Sequence, residues 1–316
     1  MMMTNYWSGK KVLITGGNGF IGTHFIKTLN NLNATTINVS LHKIRRPIAH
    51  KNYYVNIENC HTFDNIDEKI DVIIHCAAID GNSEFKEKNS VLIFDSNTKM
   101  VSNVLNYAKT NNISDVVLMS SAEIYTPNTK SPISENGNGS VNYSTQNGYI
   151  LSKIVTEMYG EIYSKQCDMR VFTPRPTNTY GPGDNFGTNN NRVVPSFIKK
   201  IDNGVPLEIW GNCKKYFNFI YITDLVESIL RMVETRKYRT LNIANEEPIS
   251  LEKLALNIGL IFGKDVKVKI IHKPVLNSNG RILNIEKLKS ILNTNLISMS
   301  DGLKKTIDWY KNYTRI

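Results

Sequence analysis

Hydrophobic and polar positions along the chain follow two periods in alternation. Short β-branched or apolar runs at residues 11–15 (KVLIT), 35–40 (TTINVS), 53–57, 71–78 (DVIIHCAA), 115–120 (DVVLMS) and 168–173 (DMRVFT) read as strands. Between them lie stretches with helical spacing. Residues 20–31 place Phe20, Ile21, Phe25, Ile26 and Leu29 on one face, and residues 91–110 and 149–165 predict two long helices. Strands that alternate with helices imply βαβ units around a parallel sheet. Further helices are predicted over 224–233 (DLVESILRMV), 251–262 and 301–313, and the polar, Gly- and Asn-rich stretches 128–147 and 181–191 read as loops.

Composition narrows the class. With 316 residues, 41% hydrophobic and 21% charged, the chain can bury a core without disulfides or metals, which excludes a disordered, collagen-like or coiled-coil protein. Cys60, Cys76, Cys167 and Cys213 form no C-x-x-C pair and no zinc spacing, which fits free thiols in a reducing compartment. The first residues lack the basic head and apolar run of a signal peptide, and the apolar stretch 72–79 is broken by His75 and ended by Asp80. The expectation is a soluble cytoplasmic protein with no membrane partner and no bound metal. The formal charge of +10 is skewed, and it calls for an anionic partner: nucleic acid, a membrane surface or a phosphorylated small molecule.

Three motifs carry chemistry. Gly16-Gly17-Asn18-Gly19-Phe20-Ile21-Gly22 closes the first strand and opens the first helix. Bare backbone there lets a pyrophosphate approach, and the helix N-terminus offers amide N–H groups. Its spacing is G-x-x-G-x-x-G, and a plain strand-to-helix turn is the competing explanation. Tyr149 and Lys153, four apart, share a helix face, where an ammonium would lower the pKa of the phenol and make it a usable proton donor or acceptor. The same spacing occurs by accident at Tyr6 and Lys10, so position after the fifth strand is what gives it weight. Ser120-Ser121-Ala122-Glu123-Ile124-Tyr125 ends that fifth strand, on the side of an open α/β sheet where ligands sit.

Together the motifs resemble the extended short-chain dehydrogenase/reductase family, in its branch that modifies nucleotide sugars. The resemblance runs from about residue 10 to about residue 292 and takes in His75-Cys76-Ala77-Ala78, Asn97, the segment from Arg175 through Pro176, Asn178, Tyr180, Gly181 and Pro182 to Asp184 and Asn185, then Tyr221-Ile222-Thr223-Asp224 and Arg281. It implies an α/β fold: a Rossmann-type doubly wound parallel sheet with a smaller α/β substrate-binding lobe. The cofactor domain would cover 1–175 plus about 215–245, and the nucleotide-sugar lobe about 176–214 and 246–316. The implied acid/base is Tyr149, with Lys153 as its tuner and ribose ligand and Ser121 polarising the sugar oxygen. Implied cofactor contacts are Gly16, Gly19, Phe20, Ile21, Gly22, Ser40, His42, Lys43, Arg45, Asn56, Ile57, Cys76, Ala77, Ala78, Asn97, Tyr149, Lys153 and Pro176. Implied substrate contacts are Ser121, Glu123, Asn178, Arg192, Val193, Val194, Trp210, Lys215, Tyr221 and Arg281. Family members usually pair through the two long helices, so a homodimer is expected.

Departures from the pattern sharpen the expectation. Ser40 stands where NAD-binding members carry an acid for the ribose hydroxyl, and His42, Lys43, Arg45 and Arg46 follow it, which suits NADP rather than NAD. Glu123 occupies the place of a glutamate in 4,6-dehydratases and decarboxylases, but Ala122 removes a proton donor those dehydratases place beside it. Residues 176–195 look most like GDP-fucose synthase, whose cysteine and histidine for 3,5-epimerisation are replaced by Glu123 and Arg192, and arginine cannot exchange protons at neutral pH. Phe217 falls where many relatives have a substrate arginine, so either Lys214, Lys215 or Arg281 replaces it or the diphosphate is held differently. The expected function is therefore an NADP-dependent 4-keto reductase of a nucleotide diphosphate sugar without 3,5-epimerisation. The alternatives are a 4-epimerase or 4,6-dehydratase that recycles its cofactor and, from another class, a non-catalytic NADP-binding sensor. Part of the positive charge is then assigned to the two polyanions and not to nucleic acid, with Lys199, Lys200, Lys264 and Lys304 left as solvated surface.

Overall fold

The computed structural model describes residues 5–126, 129–135, 147–187, 192–210, 214–271 and 280–314. Most of the loop expected over 128–147, residues 188–191 of the one expected over 181–191, and Cys213 lie outside them. The strands are β1 (Lys11–Thr15), β2 (Thr35–Ser40), β3 (Lys51–Tyr54), β4 (Val72–His75), β5 (Asp115–Leu118), β6 (Arg170–Pro176), β7 (Asn178–Tyr180), β8 (Leu207–Trp210), β9 (Tyr216–Phe217), β10 (Phe219–Tyr221), β11 (Thr240–Ile243), β12 (Ile249–Ser250) and β13 (Val268–Ile271). The helices are α1 (Phe20–Asn31), α2 (Ser83–Lys88), α3 (Ser90–Thr110), α4 (Gly148–Gln166), α5 (Val193–Asp202), α6 (Ile222–Thr235), α7 (Leu251–Phe262), α8 (Glu286–Lys289) and α9 (Met299–Thr314).

Seven strands form one parallel sheet in the order β11-β6-β5-β4-β1-β2-β3. The order reverses between β1 and β4, so the crevice beyond their carboxyl ends is the place where an open α/β sheet takes its ligand. Val12, Ile14, Val72, Ile74 and Val117 pack on one face, and Leu13, Ile37, Ile73 and Val116 on the other. Burial on both faces explains why these strands read as unbroken apolar runs.

The predicted elements recur with shifted ends. The third strand, expected over 53–57, is Lys51–Tyr54, because this edge strand pairs only with β2 and the chain turns away after Ser40 and Tyr54 align. The sixth runs on to Pro176, since β11 continues to pair with it there. That seventh strand, TLNI, was not expected: it is four residues long and becomes recognisable only beside β6.

Smaller sheets flank the main one. β7 pairs with β10, β9 with β12 and β8 with β13. Buried Phe197, Ile201, Ile209, Leu254 and Ile258 extend the core under α5, β8 and α7. Among the described residues no helix is long and apolar enough to cross a membrane.

Candidate active site

A cavity of about 690 Å³ opens at the carboxyl ends of β1 and β4 and extends under α5 and β8. At one end lies the β1–α1 turn. Gly16 adopts φ +68°, and a Cβ built on it would lie 2.8 Å from the Ala77 backbone. A Cβ on Gly22 would lie 2.3 Å from Gly16 O. Glycine is therefore required here for two reasons, a left-handed turn and the close approach of α1 to the turn and of the turn to β4. The N-cap residue Gly19 makes no side-chain cap, so the first amides of α1 are available to a ligand in the cavity. Among the described residues this bare, donor-rich cradle fits the diphosphate of a dinucleotide.

The chemistry sits where α4 meets the end of β5. Asn147 caps α4 by accepting from the backbone N–H groups of Tyr149 and Ile150 at 3.0 and 3.4 Å. Gly148 lets the helix start lie directly on Ser90 of α3. These contacts aim Tyr149 and Lys153 into the cavity. Tyr149 hydrogen-bonds with Ser121, whose own hydroxyl accepts from Glu123 N at 3.1 Å in the short turn after β5. Lys153 is buried, and its Nζ donates to Met119 O at 2.7 Å. Burial brings its pKa down to about 8 against the pull of Asp80.

Burial also raises the Tyr149 phenol well above its ordinary value; Asp80 adds to this, while Lys86 and Ser121 oppose it. The expectation that the Lys153 ammonium lowers this phenol is corrected: the phenol is raised, and the cation that opposes the rise is Lys86. Lys153 Nζ stands 5.6 Å from the ring centroid, whereas Lys86 Nζ stands at 3.7 Å.

Lys86 was not found from the sequence. Its Nζ donates to Glu123 Oε1 at 2.7 Å and lies 3.1 Å from Asp80 Oδ1. Burial opposes its charge, but Glu123 and Asp80 outweigh burial and hold the ammonium protonated. Burial likewise pushes the Asp80 carboxyl up, and Lys86 and Arg192 more than reverse that. In sequence Lys86 belongs to the run EFKEK, which reads as a solvated face. The one local signal is Asn82, whose side chain caps the short α2 by accepting from Phe85 N at 2.9 Å.

The cavity wall brings together Gly16, Gly19, Phe20, Ile21, Gly22, Cys76, Ala78, Ser121, Glu123, Tyr149, Lys153, Pro176, Asn178, Arg192, Val193 and Arg281. Arg281 is presented by a bridge to Phe217, and both side chains face the cavity. Arg192 precedes α5, 3.5 Å from Asp184 and over the ring of Phe20. Lys200, expected as solvated surface, lines the cavity instead, because α5 turns that face inward. Lys199 donates to Phe186 O at 3.2 Å.

Other expected residues stand outside the wall. Asn97 bonds Ile79 N at 2.8 Å and Ser152 Oγ at 3.3 Å, so it secures the chain beside the cavity from behind. Ala77 packs under Gly16. Val194 and Tyr221 are buried in the core, the latter with its ring 5.6 Å from that of Tyr180. Asp224 fastens α6 to the tail by accepting from Ile297 N at 2.7 Å. Arg175, from the matched segment, is buried against Glu157 and Tyr125 and is structural. Lys215 does not line the cavity, and the Trp210 side chain is outside the described residues.

Asn56 and Ile57 lie past the β3 edge. Asn103 donates to Ile57 O at 2.9 Å, and Thr62 bonds Asn56 O. At the end of β2, Ser40 accepts from Asn18 N at 3.3 Å and donates to Asn38 Oδ1 at 2.7 Å. His42, Lys43 and Arg45 are exposed beyond it.

Comparison with known proteins agrees with this geometry. Residues 12–244 match the model of the NAD dependent epimerase/dehydratase family. A dTDP-4-dehydro-6-deoxy-D-allose reductase of Streptomyces sp is 33% identical over 99% of this chain and all of its own length. The enzyme of the same name from Streptomyces bikiniensis is 32% identical with the same coverage. Among solved structures, a GDP-6-OMe-4-keto-L-xylo-heptose reductase from C. jejuni superposes with a TM-score of 0.82 at 20% identity, covering 98% of this chain and 99% of that one. UDP-glucose 4-epimerase of Thermotoga maritima does so at 0.87 and 20%, covering 96% and 99%, and these two likenesses establish the fold. The glycine cradle, the Tyr149–Lys153–Ser121 cluster and the full-length matches lead to one assignment: this chain belongs to the NAD dependent epimerase/dehydratase family, within the extended short-chain dehydrogenases/reductases.

Proposed function

We propose that the protein is an NADP-dependent reductase of a nucleotide-linked 4-keto sugar, acting at C4 without 3,5-epimerisation. The observation that carries this reading is end-to-end similarity to dTDP-4-dehydro-6-deoxy-D-allose reductases, which makes a dTDP-linked 4-keto-6-deoxyhexose the first substrate to try. When bound, the reduced nicotinamide supplies a hydride. The residues of this chain do the rest. Ser121 and Tyr149 hydrogen-bond the C4 oxygen, and Tyr149 gives that oxygen its proton. Lys153 anchors the ribose side of the site and returns positive charge beneath the phenol. Arg281, Arg192 and Lys200 supply fixed positive charge for the sugar diphosphate.

Two features support reduction over proton exchange at C3 or C5. Glu123 is committed to Lys86, and Arg192 stands where an exchangeable acid would be needed. Preference for NADP is supported by Ser40, which brings no charge against a 2′-phosphate, and by exposed Lys43 and Arg45 after it. A homodimer through α3 and α4 is supported by exposed Val91, Leu92, Met158 and Ile162 on those helices. The unpaired thiols of Cys60, Cys76 and Cys167 support a cytoplasmic setting.

The test is direct. With dTDP-4-dehydro-6-deoxy-D-allose and NADPH, the enzyme should consume one NADPH per 4-hydroxy sugar formed, with no solvent deuterium at C3 or C5. Turnover of a 4-keto sugar without net NADPH loss would point to an epimerase or dehydratase and overturn the reading. Tyr149→Phe should nearly abolish turnover and still bind NADPH.

A further inference from the structure

Lys153 is the lysine that the sequence pairs with Tyr149, yet another ammonium lies closer to its ring. Lys86 Nζ stands 3.7 Å from the Tyr149 centroid, and its side chain is 7% exposed. Its position is fixed by two carboxylates, Glu123 at 2.7 Å and Asp80 at 3.1 Å, delivered by the turn after β5 and the loop after β4. Lys153 Nζ is 5.6 Å from the same centroid and is engaged by Met119 O.

We propose that Lys86 is a positioning residue for proton transfer: clamped by Asp80 and Glu123, it stabilises Tyr149 as the phenol gives up its proton. This rests on Tyr149 being the acid, as proposed above. A cation over a neutral phenol is held by the ring quadrupole alone. Once the proton leaves, the ring carries a full negative charge and the attraction grows. An interaction stronger at that point than before it accelerates the chemistry and does not merely bind. Glu123 then serves as a counter-ion to Lys86, which is why a residue that resembles a dehydratase glutamate need not move a proton here.

The charged groups that bear on Tyr149 come from several elements. They are Lys86 of α2, Asp80 after β4, Glu123 after β5 and Lys153 of α4, with Arg192 facing Asp80 and Arg281 facing Glu123. Removing the Lys86 charge leaves the carboxylates to oppose ionisation of Tyr149; removing the Asp80 charge does the reverse. The two variants must therefore shift the same pH profile in opposite directions, which a loss of packing cannot do.

The experiment follows hydride transfer in single turnovers with NADP and the 4-hydroxy product, where Tyr149 must be ionised and the rate climbs with pH. Lys86→Met should move the rising limb up by about one unit, so that the rate on that limb falls about tenfold. Asp80→Asn should move it down. Lys86→Arg, which keeps the charge, should stay within about 0.3 unit of the parent. If Lys86→Met does not fold, the double variant Asp80→Asn/Lys86→Met removes the pair together, and its limb must lie above that of Asp80→Asn alone. Limbs that stay in place, or that move the same way in Lys86→Met and Asp80→Asn, overturn the proposal. An active Tyr149→Phe overturns the underlying assignment instead, so the two failures are distinct.

Discussion

Replacing Gly148 by alanine tests whether the start of α4 sets the geometry of the site. A Cβ built there would lie 1.8 Å from Ser90 O, 2.6 Å from its carbonyl carbon and 2.9 Å from its Cα. All three are backbone atoms, so no side chain can swing away. A shift of 1.2 Å would bring the oxygen contact only to 3.0 Å, still closer than Cβ atoms normally come. The helix start must therefore move off α3 by more than an ångström, and Tyr149 is the next residue. It moves relative to Ser121, which is held separately at the end of β5. Ser90 also donates to Lys86 O at 2.9 Å, so the push reaches the lysine on the tyrosine ring. Overpacking of this kind costs about 1–3 kcal/mol, and a misplacement near 1 Å costs about 10²-fold in rate. Gly148→Ala should thus lower kcat about a hundredfold and stability by about 1–3 kcal/mol. NADPH affinity should fall far less than kcat, because the diphosphate cradle is built by the β1–α1 turn and only the ribose-side contact of Lys153 is disturbed. Kinetics, a denaturant melt and NADPH titration measure all three. Wild-type kcat in a folded Gly148→Ala variant would refute the argument. An equal loss of NADPH binding would show that the perturbation is global.

Further outcomes follow from other parts of the molecule. Lys43→Ala and Arg45→Ala should each raise the KM for NADPH about tenfold while leaving that for NADH within about twofold, the loss of one charge-assisted contact to a 2′-phosphate; equal effects on both cofactors refute the assignment. Met158→Glu and Ile162→Glu, which charge exposed apolar positions of α4, should convert a dimer to monomers in sedimentation; a wild-type monomer refutes pairing by this face. Burial raises the Asp224 carboxyl from 3.8 to about 6, so its contribution favours folding below pH about 4 and is lost as pH climbs through 6. Asp224→Asn should accordingly be more stable than the parent at pH 7 by about 1–3 kcal/mol, with the gap closing towards pH 4 in thermal melts; a gap independent of pH refutes it.

What could be read in the sequence was what neighbours along the chain decide. The glycine turn and the alternating strands each depend on a few consecutive residues, and they appear where expected. Ser121, Tyr149 and Lys153 were legible because their order around β5 and α4 gave meaning to a spacing that alone means little. Lys86 and Asp80 were not legible. Their environment exists only when the loop after β4, the short α2, the turn after β5 and α4 converge, and nothing in EFKEK distinguishes the buried lysine from its exposed neighbours. Tyr221 shows the opposite case: it matches a substrate element by motif, yet its ring packs against Tyr180 under α6 and is not on the cavity wall. The charge divides in the same way. Exposed Lys43 and Arg45 were readable as a basic loop, whereas Lys86, Arg192, Lys200 and Arg281 become one feature only around the cavity. There Lys86 is neutralised by Asp80 and Glu123, so its positive charge is confined to the tyrosine ring and is not offered to a phosphate. On the proposed function, that separation would leave Arg192, Lys200 and Arg281 for a diphosphate while a dedicated ammonium stays beside Tyr149.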